Sequence, residues 1–213
     1  MGDVNISLLT DWVREFARAI GDNAQYLTDL DAAIGDADHG INMERGMAAV
    51  VAALDEVTPA DMSELCKLVG MTLVKSVGGA SGPLYGTFFL RMAPALGSGE
   101  SVDAADFAKA LRAGVEGVVQ RGRAEAGDKT MFDALAPALD ALDAVLASSS
   151  GLDAALTEAA IAAESGRDAT ESMVARKGRA SYLGQRSVGH LDPGAASSAM
   201  LIAAAATAFA TSG

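Results

Sequence analysis

Residues 199–210 read AMLIAAAATAFA, and this is the most apolar segment of the 213-residue chain. A helix needs about 20 residues to span a bilayer, so a segment of this length predicts a helix buried in a protein core. Aromatic residues make up only 5% of the chain, whereas alanine is frequent throughout. Because small side chains let helices approach closely, and strands favour β-branched and aromatic residues, the composition favours an all-α protein.

Apolar side chains recur at helical spacing from the N-terminus onward. Leu9, Trp12 and Phe16 follow one another at steps of three and four residues, and Val13 and Ile20 complete the face of an amphipathic helix. No segment shows sustained alternation of apolar and polar residues, so no strand is expected. The predicted helical segments are about 7–20, 26–34, 43–54, 60–77, 84–96, 103–120, 130–147, 152–176 and the residues after Pro193-Gly194. This pattern predicts a bundle or ring of about eight helices.

The number of domains depends on the same C-terminal segment. The serines at 148–150, followed by Gly151, form a short linker that could separate two units, and the chain length suits one domain or two small ones. The apolar helix at 199–210, however, needs a core to enter. We therefore expect residues 1–213 to form a single domain.

The chain carries a formal net charge of −12 and one cysteine, Cys66. Nucleic acids and anionic membrane surfaces select for clusters of Lys and Arg, so neither is an expected partner. A single cysteine gives no disulfide framework and no thiolate metal site, which favours a cytoplasmic location with Cys66 as a small buried hydrophobe. The first residues, MGDVNISLLTDW, lack the basic flank and the apolar stretch of a signal peptide.

Four aspartates crowd the segment 29–43, which reads DLDAAIGDADHGINM. Asp31 precedes a glycine by about one helical turn, and this glycine lets the chain reverse so that Asp36 and Asp38 face back toward Asp31. Three carboxylates that converge in this way suit Mg²⁺, whereas one histidine without a second thiolate disfavours zinc. Asp29 lies apart from the group and is expected to be solvated. On spacing alone, a solvated helix-capping turn and a magnesium site both remain open.

Three further loops combine glycine with polar residues beside a predicted helix end. They are SVGGASGPLYG at 76–86, RGRAEAGDKTM at 121–131 and KGRASYLGQRSVGHLDPGA at 177–195. The glycines of the first loop allow close approach of the backbone, and the helix start after them favours a phosphate. Lys129 of the second loop is expected either at the surface or in contact with a phosphate. The P-loop, GxGxxG, HExxH and GxSxG signatures are absent from the chain.

The concentrated positive charge of this acidic chain falls at the start of the last loop. Arg176, Lys177, Arg179 and Arg186 lie close together there. A cationic patch opposite an acidic metal loop is what phosphate binding requires, although a solvated basic turn explains the same charges. His190, beside Asp-Pro-Gly, is either a catalytic residue or a structural hydrogen-bonding group.

Together, these loops resemble one family, the nucleotide-binding L subunits of dihydroxyacetone kinases. The blocks that carry the resemblance are IGDADHGINM, GMTLVKSVGGASGPLYGTFF, GDKTM, ARKGRASYLG and GHLDPGA, in this order between about Tyr26 and Ser198. The resemblance implies an antiparallel barrel of eight helices with a nucleotide, ADP or ATP, capping one end. Ala126 stands where proline is expected before GDKTM, and Gln185 stands where glutamate is expected after YLG. Neither position is an implied ligand.

The resemblance also implies which residues form the site. Asp31, Asp36 and Asp38 would hold two Mg²⁺ ions that bridge the nucleotide phosphates. Arg179 would be the catalytic residue and would offset the negative charge of the transition state. The residues implied to contact the nucleotide are His39, Gly40, Ile41, Asn42, Gly79, Ala80, Ser81, Gly122, Met131, Arg179, Asp192, Pro193 and Gly194.

Two of the blocks, GGASGPLYG and GHLDPGA, are closer to the bacterial kind of kinase that depends on the phosphotransferase system and consists of separate subunits. In that kind, the resemblance implies that ADP stays bound as a coenzyme. ADP accepts a phosphoryl group from a phosphohistidine on a donor subunit, and the group passes to dihydroxyacetone held by a K subunit. Other implied partners are a transcription regulator and a second copy of the chain. The alternatives are an ATP-exchanging kinase subunit for another short ketose, a magnesium-dependent phosphohydrolase and a nucleotide-sensing adaptor.

Overall fold

The computed structural model describes residues 3–148 and 150–210, so Ser149 of the predicted linker lies outside the described residues. The α-helices are α1 (Ile6–Asp22), α2 (Ala24–Ile34), α3 (His39–Glu56), α4 (Met62–Ser76), α5 (Ser81–Leu96), α6 (Ala104–Gly122), α7 (Phe132–Ala147), α8 (Leu152–Ala169) and α9 (Pro193–Ala210). The other elements are two 3-10 helices, Thr170–Ser172 and Arg179–Ser187, and strands β1 (Val4–Asn5) and β2 (Ser101–Val102). The prediction of an all-α protein is confirmed.

Aspartates placed just before two of the helices fix where those helices begin. The Asp61 side chain accepts a hydrogen bond from the Glu64 backbone N–H at 2.8 Å at the start of α4. Asp103 does the same for the Asp106 N–H at 2.8 Å at the start of α6. Each carboxylate satisfies a backbone donor that has no partner inside its helix, as an N-cap does.

Two features differ from the sequence prediction. Helix α8 ends at Ala169 rather than near residue 176, because the backbone after it bonds to other segments. The Ala175 N–H donates to Ser187 Oγ at 2.9 Å, and the Arg176 N–H donates to the Asp128 carbonyl at 3.0 Å. The antiparallel pair of β1 and β2 is the second difference. Each strand has two residues, which is too short to produce a visible alternation in the sequence.

Trp12 lies at the centre of the hydrophobic core. Its ring centroid is 6.4 Å from that of Phe88, 5.8 Å from that of Phe89 and 6.0 Å from that of Phe107. Its indole N–H donates to the Leu201 carbonyl at 2.8 Å, which satisfies the one polar group of this buried side chain. Trp12 therefore joins α1, α5, α6 and α9.

Helix α9 is the buried helix that residues 199–210 predict. It packs against α1, α7 and α8, and most of its side chains are buried. The helix starts at Pro193, six residues before the apolar segment 199–210. Among the described residues, it is the one helix with the length and composition for a crossing, yet 67% of it is buried inside the protein. Such burial is typical of a core helix.

Every second connection between helices reaches the same end of the molecule. The connections α2–α3, α4–α5, α6–α7 and α8–α9 all contribute residues to one cavity, as neighbouring helices that run up and down require. Helices α4 and α5 approach closely where Gly70 meets Gly86, because a Cβ on either glycine would lie 2.8 Å from the carbonyl oxygen of the other. This contact fixes the connection between the two helices beside the cavity.

Candidate functional site

The cavity has a volume of about 280 Å³ and lies where the four loops meet. Most of its lining comes from the loops at 35–38, 78–81, 122–131 and 177–180 and from the start of α9, and the rest comes from the ends of the helices beside them. These are the four glycine-bearing polar loops that the sequence places beside predicted helix ends. Because the helices deliver them to one end, residues that are distant in sequence become neighbours.

The three predicted metal ligands converge at this cavity. One carboxylate oxygen from each of Asp31, Asp36 and Asp38 lies within 4.8 Å of the other two. Asp31 is buried at the end of α2, whereas Asp36 is exposed in the loop that follows. Three carboxylates in such proximity are a donor set that fits Mg²⁺, which prefers oxygen ligands and keeps several waters or phosphate oxygens.

The Asp31 carboxylate also holds the next helix in place. Its Oδ2 accepts the Asp38 N–H at 2.8 Å and the His39 N–H at 3.1 Å, so it caps α3 from the neighbouring helix. The turn between them needs Gly35, because a Cβ at this position would lie 2.0 Å from Asp31 Oδ1. Gly35 therefore allows the close approach on which the carboxylate cluster depends.

Of the four predicted basic residues, two reach the cavity. Arg179 and Lys177 line it, and Arg179 pairs with Asp36 at 3.0 Å between Nη2 and Oδ2. The Arg179 side chain is 69% exposed, so this ion pair contributes little to stability. Arg176 and Arg186 are exposed and lie outside the lining. The structure thus places one exposed positive charge directly beside the carboxylates.

His39 connects the cavity to a buried chain of hydroxyl groups. Its Nδ1 lies 3.0 Å from Ser81 Oγ, and its Nε2 lies 2.9 Å from Ser197 Oγ. Ser197 Oγ in turn lies 2.7 Å from the Tyr85 hydroxyl. Burial lowers the pKa of His39 and is only partly opposed by Asp31 and Asp38, so the imidazole is neutral at physiological pH. With both ring nitrogens bonded to serines, His39 is a lining residue and not a metal ligand.

Most of the nucleotide-contacting residues implied by the resemblance line the cavity, and two do not. Gly40 faces α2, where an added Cβ would lie 1.9 Å from the Ala24 carbonyl oxygen. Ile41 is 55% exposed and lies outside the cavity lining. The residues that do line it are His39, Asn42, Gly79, Ala80, Ser81, Gly122, Met131, Arg179, Asp192, Pro193 and Gly194. His190 is exposed and lies outside the lining.

Sequence reasoning missed one wall of the cavity. Leu84, Val118 and Ala124 line it together with Met131. In the sequence, Leu84 and Val118 look like ordinary core positions of α5 and α6, and the one available signal is their nearness to the glycine-bearing loops. If the carboxylate cluster holds Mg²⁺, an apolar wall beside it suits a ligand with a flat apolar ring at one end and a metal-binding anionic group at the other.

Asp192 is the most perturbed carboxyl group at the site. Its Oδ2 accepts the Ala195 N–H at 2.7 Å at the start of α9, and its own N–H donates to Thr170 Oγ1 at 3.0 Å. Burial raises the pKa of Asp192 to about 7, and the Ala195 hydrogen bond opposes this rise. The group therefore holds its proton over a pH range in which an exposed aspartate has lost it.

This raised pKa predicts that Asp192 makes stability depend on pH in the protein without nucleotide. Between the ordinary pKa of 3.8 and the folded value of about 7, the folded protein binds a proton that the unfolded chain releases. The free energy of unfolding should therefore fall as pH rises through this window, by on the order of 4 kcal/mol from this residue. Asp192→Asn keeps an acceptor for the cap and should remove this part of the slope.

The measurement is urea unfolding of both proteins at several pH values between 4 and 8. Asp140→Asn, which changes an exposed carboxylate on α7, is the matched control and should keep the original slope. Equal slopes for the native protein and the Asp192 variant would show that the buried carboxyl group does not titrate in this window.

The fold and the cavity define an all-α protein with a carboxylate-rich ligand site built from loops at one end. A model of the DAK2 domain matches residues 33–207, and the chain belongs to this family. The resemblance seen in the sequence blocks is thereby confirmed.

Similar bacterial proteins bear names that describe one role. The chain is 48% identical over 190 residues to the ADP-binding subunit DhaL of PEP-dependent dihydroxyacetone kinase 1 from Listeria innocua, covering 89% of this chain and 90% of that protein. It is 46% identical over 189 residues to the ADP-binding subunit DhaL from Escherichia coli, again covering 89% and 90%.

A solved structure with the same fold is the dihydroxyacetone kinase of C. freundii. The TM-score is 0.74 at 27% identity, and the match covers 97% of this chain but only 35% of that longer chain. A second structure of the same enzyme, in complex with AMP-PNP and Mg²⁺, matches with a TM-score of 0.73.

Proposed function

We propose that this chain is the ADP-binding subunit of a PEP-dependent dihydroxyacetone kinase, a phosphotransferase of separate subunits. The observation that carries the proposal is the convergence of Asp31, Asp36 and Asp38 at the mouth of a cavity with an apolar wall. The names of the bacterial relatives, which match over nearly their whole length, support the same role. ADP would stay bound and carry a phosphoryl group from a phosphohistidine donor subunit to dihydroxyacetone on a K subunit.

The charge balance of the site supports two Mg²⁺ ions. The three carboxylates carry three negative charges, and two Mg²⁺ ions would carry four positive charges. The site would then have a net charge of +1, which attracts a phosphate. Bound Mg²⁺ supplies charge neutralisation to the phosphates, which this acidic chain would otherwise repel. The AMP-PNP and Mg²⁺ complex of the C. freundii kinase supports the same cofactor chemistry.

The residues of the chain itself then position the nucleotide. The backbone N–H groups at 79–81 and the start of α5 favour a phosphate, because a helix N-terminus carries unpaired donors and partial positive charge. The apolar wall takes the base and keeps water out. Arg179 lines the cavity with its Nη2 3.0 Å from Asp36 Oδ2, so its guanidinium group would offset the negative charge of a phosphoryl group transferred there.

The remaining features of the chain fit this role. One hydrophobic cluster includes residues from Val4 to Phe209, which supports a single nucleotide-binding domain over residues 1–213. Cys66 is buried and burial raises the pKa of its thiol to about 12, which supports an unreactive cysteine. The cytoplasmic location stays a prediction from the sequence. Binding of a transcription regulator and formation of a homodimer stay predictions from the resemblance.

The proposal is tested by reconstitution. The chain, a dihydroxyacetone-binding K subunit and a donor subunit charged from phosphoenolpyruvate should together phosphorylate dihydroxyacetone, and leaving out any one of them should stop the reaction. Transfer from free ATP at the same rate without the donor would instead show an ATP-exchanging kinase subunit. Hydrolysis of phosphate esters by the chain alone would show a phosphohydrolase.

A further inference from the structure

Lys129 is a buried lysine in the loop between α6 and α7. Only 1% of its surface is exposed, and its backbone adopts a left-handed φ of 64°. Its ammonium group lies 3.2 Å from the Met173 carbonyl oxygen, 2.6 Å from that of Ser187 and 2.5 Å from that of His190. The sequence predicted that Lys129 is either a surface residue or a phosphate ligand. A buried ammonium group with these partners is neither.

A count of donors excludes the phosphate ligand directly. A lysine ammonium group has three N–H donors and no acceptor. The carbonyl groups of Met173, Ser187 and His190 take one donor each, so none is left for a ligand. Although Lys129 lines the cavity, its ammonium group donates its hydrogen bonds to backbone carbonyl groups.

The three carbonyl groups lie at the two ends of one segment. We call residues 174–189 the Arg179 loop, because it carries Arg179 and Lys177 to the cavity. Met173 immediately precedes this loop, Ser187 lies at its far end and His190 immediately follows it. The ammonium group of Lys129 therefore joins the two ends of the Arg179 loop to each other and to the α6–α7 connection.

Other hydrogen bonds draw the same ends together. The Gly189 N–H donates to the Glu171 carbonyl at 2.8 Å, and the Ala175 N–H donates to Ser187 Oγ at 2.9 Å. The loop is also attached by the Arg176 N–H, which donates to the Asp128 carbonyl at 3.0 Å, and by Ala175 and Ala180, which pack against Ile34 of α2. Replacing Lys129 should weaken this closure strongly, because no neutral side chain offers three donors to three buried carbonyl groups.

We propose that Lys129 is a positioning residue, whose ammonium group closes the base of the Arg179 loop and thereby holds Arg179 at the carboxylate cluster. The inference rests on the proposed function only for the role of Arg179 in transfer. The closing of the loop is a structural property of the chain and is measured separately.

The first test is limited proteolysis of the full chain without nucleotide. Lys129→Met keeps the length of the side chain but leaves three carbonyl groups unpaired, so the Arg179 loop should open more often. Trypsin cleavage after Lys177 and Arg179 should accelerate by at least about tenfold, with helix content unchanged by circular dichroism. Lys67→Met, which removes an exposed lysine from α4, is the matched control and should leave the rate unchanged.

A second variant keeps the test decisive if the methionine variant does not fold. Lys129→Arg retains the positive charge, but its planar fork cannot address three carbonyl groups in the same directions. It should accelerate the same two cleavages to a smaller extent. Native cleavage rates in a folded variant of either kind would overturn the proposal.

The second test is a double-mutant cycle on phosphoryl transfer in the reconstituted system. If Lys129 acts through Arg179, the Lys129→Met and Arg179→Ala losses should not multiply, and the double variant should be no slower than Arg179→Ala alone. Losses that multiply would overturn the positioning role. If the chain supports no transfer at all, the proposed function fails, while the proteolysis result still decides whether Lys129 closes the loop.

Discussion

Asparagine in place of Asp38 is expected to lower the affinity for ADP in the presence of Mg²⁺ by about 100-fold or more. Replacing a residue that only contacts a metal ligand already lowers metal affinity by about 10–100-fold, and Asp38 is a predicted ligand itself. The substitution preserves the size of the side chain and removes one of the three converging negative charges. Among the described residues, the Asp38 carboxylate has no hydrogen bond or ion pair to lose. The loss should therefore appear in ligand binding and not in stability.

The matched control for this variant is Asp29→Asn. Asp29 lies in the same acidic segment, is exposed on α2 and has Gln25 as its hydrogen-bond partner at 2.7 Å. Isothermal titration with ADP, with and without Mg²⁺, should show native binding for the control and Mg²⁺-dependent loss for the Asp38 variant. Native affinity of the Asp38 variant in Mg²⁺ would mean that the carboxylate cluster does not hold the metal.

Replacement of Arg179 by alanine is expected to slow phosphoryl transfer by about 1,000-fold, the lower end of what an arginine at a transferring phosphoryl group contributes. The affinity for ADP should change much less, because Arg179 is largely exposed and its positive charge is needed mainly as negative charge develops in the transition state. Arg179→Lys should recover only part of the rate, since an ammonium group lacks the planar fork of the guanidinium.

Arg186→Ala is the matched control for this second prediction. Arg186 belongs to the same basic segment, but it is exposed and lies outside the cavity lining. Single-turnover transfer, followed after mixing the ATP-loaded chain with a K subunit that holds dihydroxyacetone, separates the chemical step, which leaves ADP on the chain, from nucleotide binding. An Arg179→Ala variant that transfers at the native rate would assign the charge compensation to another group.

The sequence predicted the features that depend on neighbouring residues. The helices follow from apolar periodicity, and the convergence of Asp31, Asp36 and Asp38 follows from their spacing around a glycine. The sequence blocks predicted the family as well, because five motifs in order are specific. Each of these signals is contained in a short, continuous segment.

The features that the sequence did not predict depend on contacts between distant segments. Lys129 meets Met173, Ser187 and His190 only after α7 and α8 have folded back, so its burial has no local signal. Asp31 caps a helix other than its own, which no capping pattern within one helix reveals. Gly40 and Ile41 lie outside the cavity lining, so their contact with a nucleotide stays a prediction from the resemblance.

The central claim is that this chain holds ADP through Mg²⁺ at the carboxylate cluster, and the ligand content of the purified protein tests it most directly. The protein is dialysed, heated to release what it holds, and analysed for nucleotide and metal. We predict stoichiometric ADP together with Mg²⁺, both lost after dialysis against a chelator and both restored by adding them back. A protein that comes out empty and takes up no ADP in excess Mg²⁺ would contradict the account.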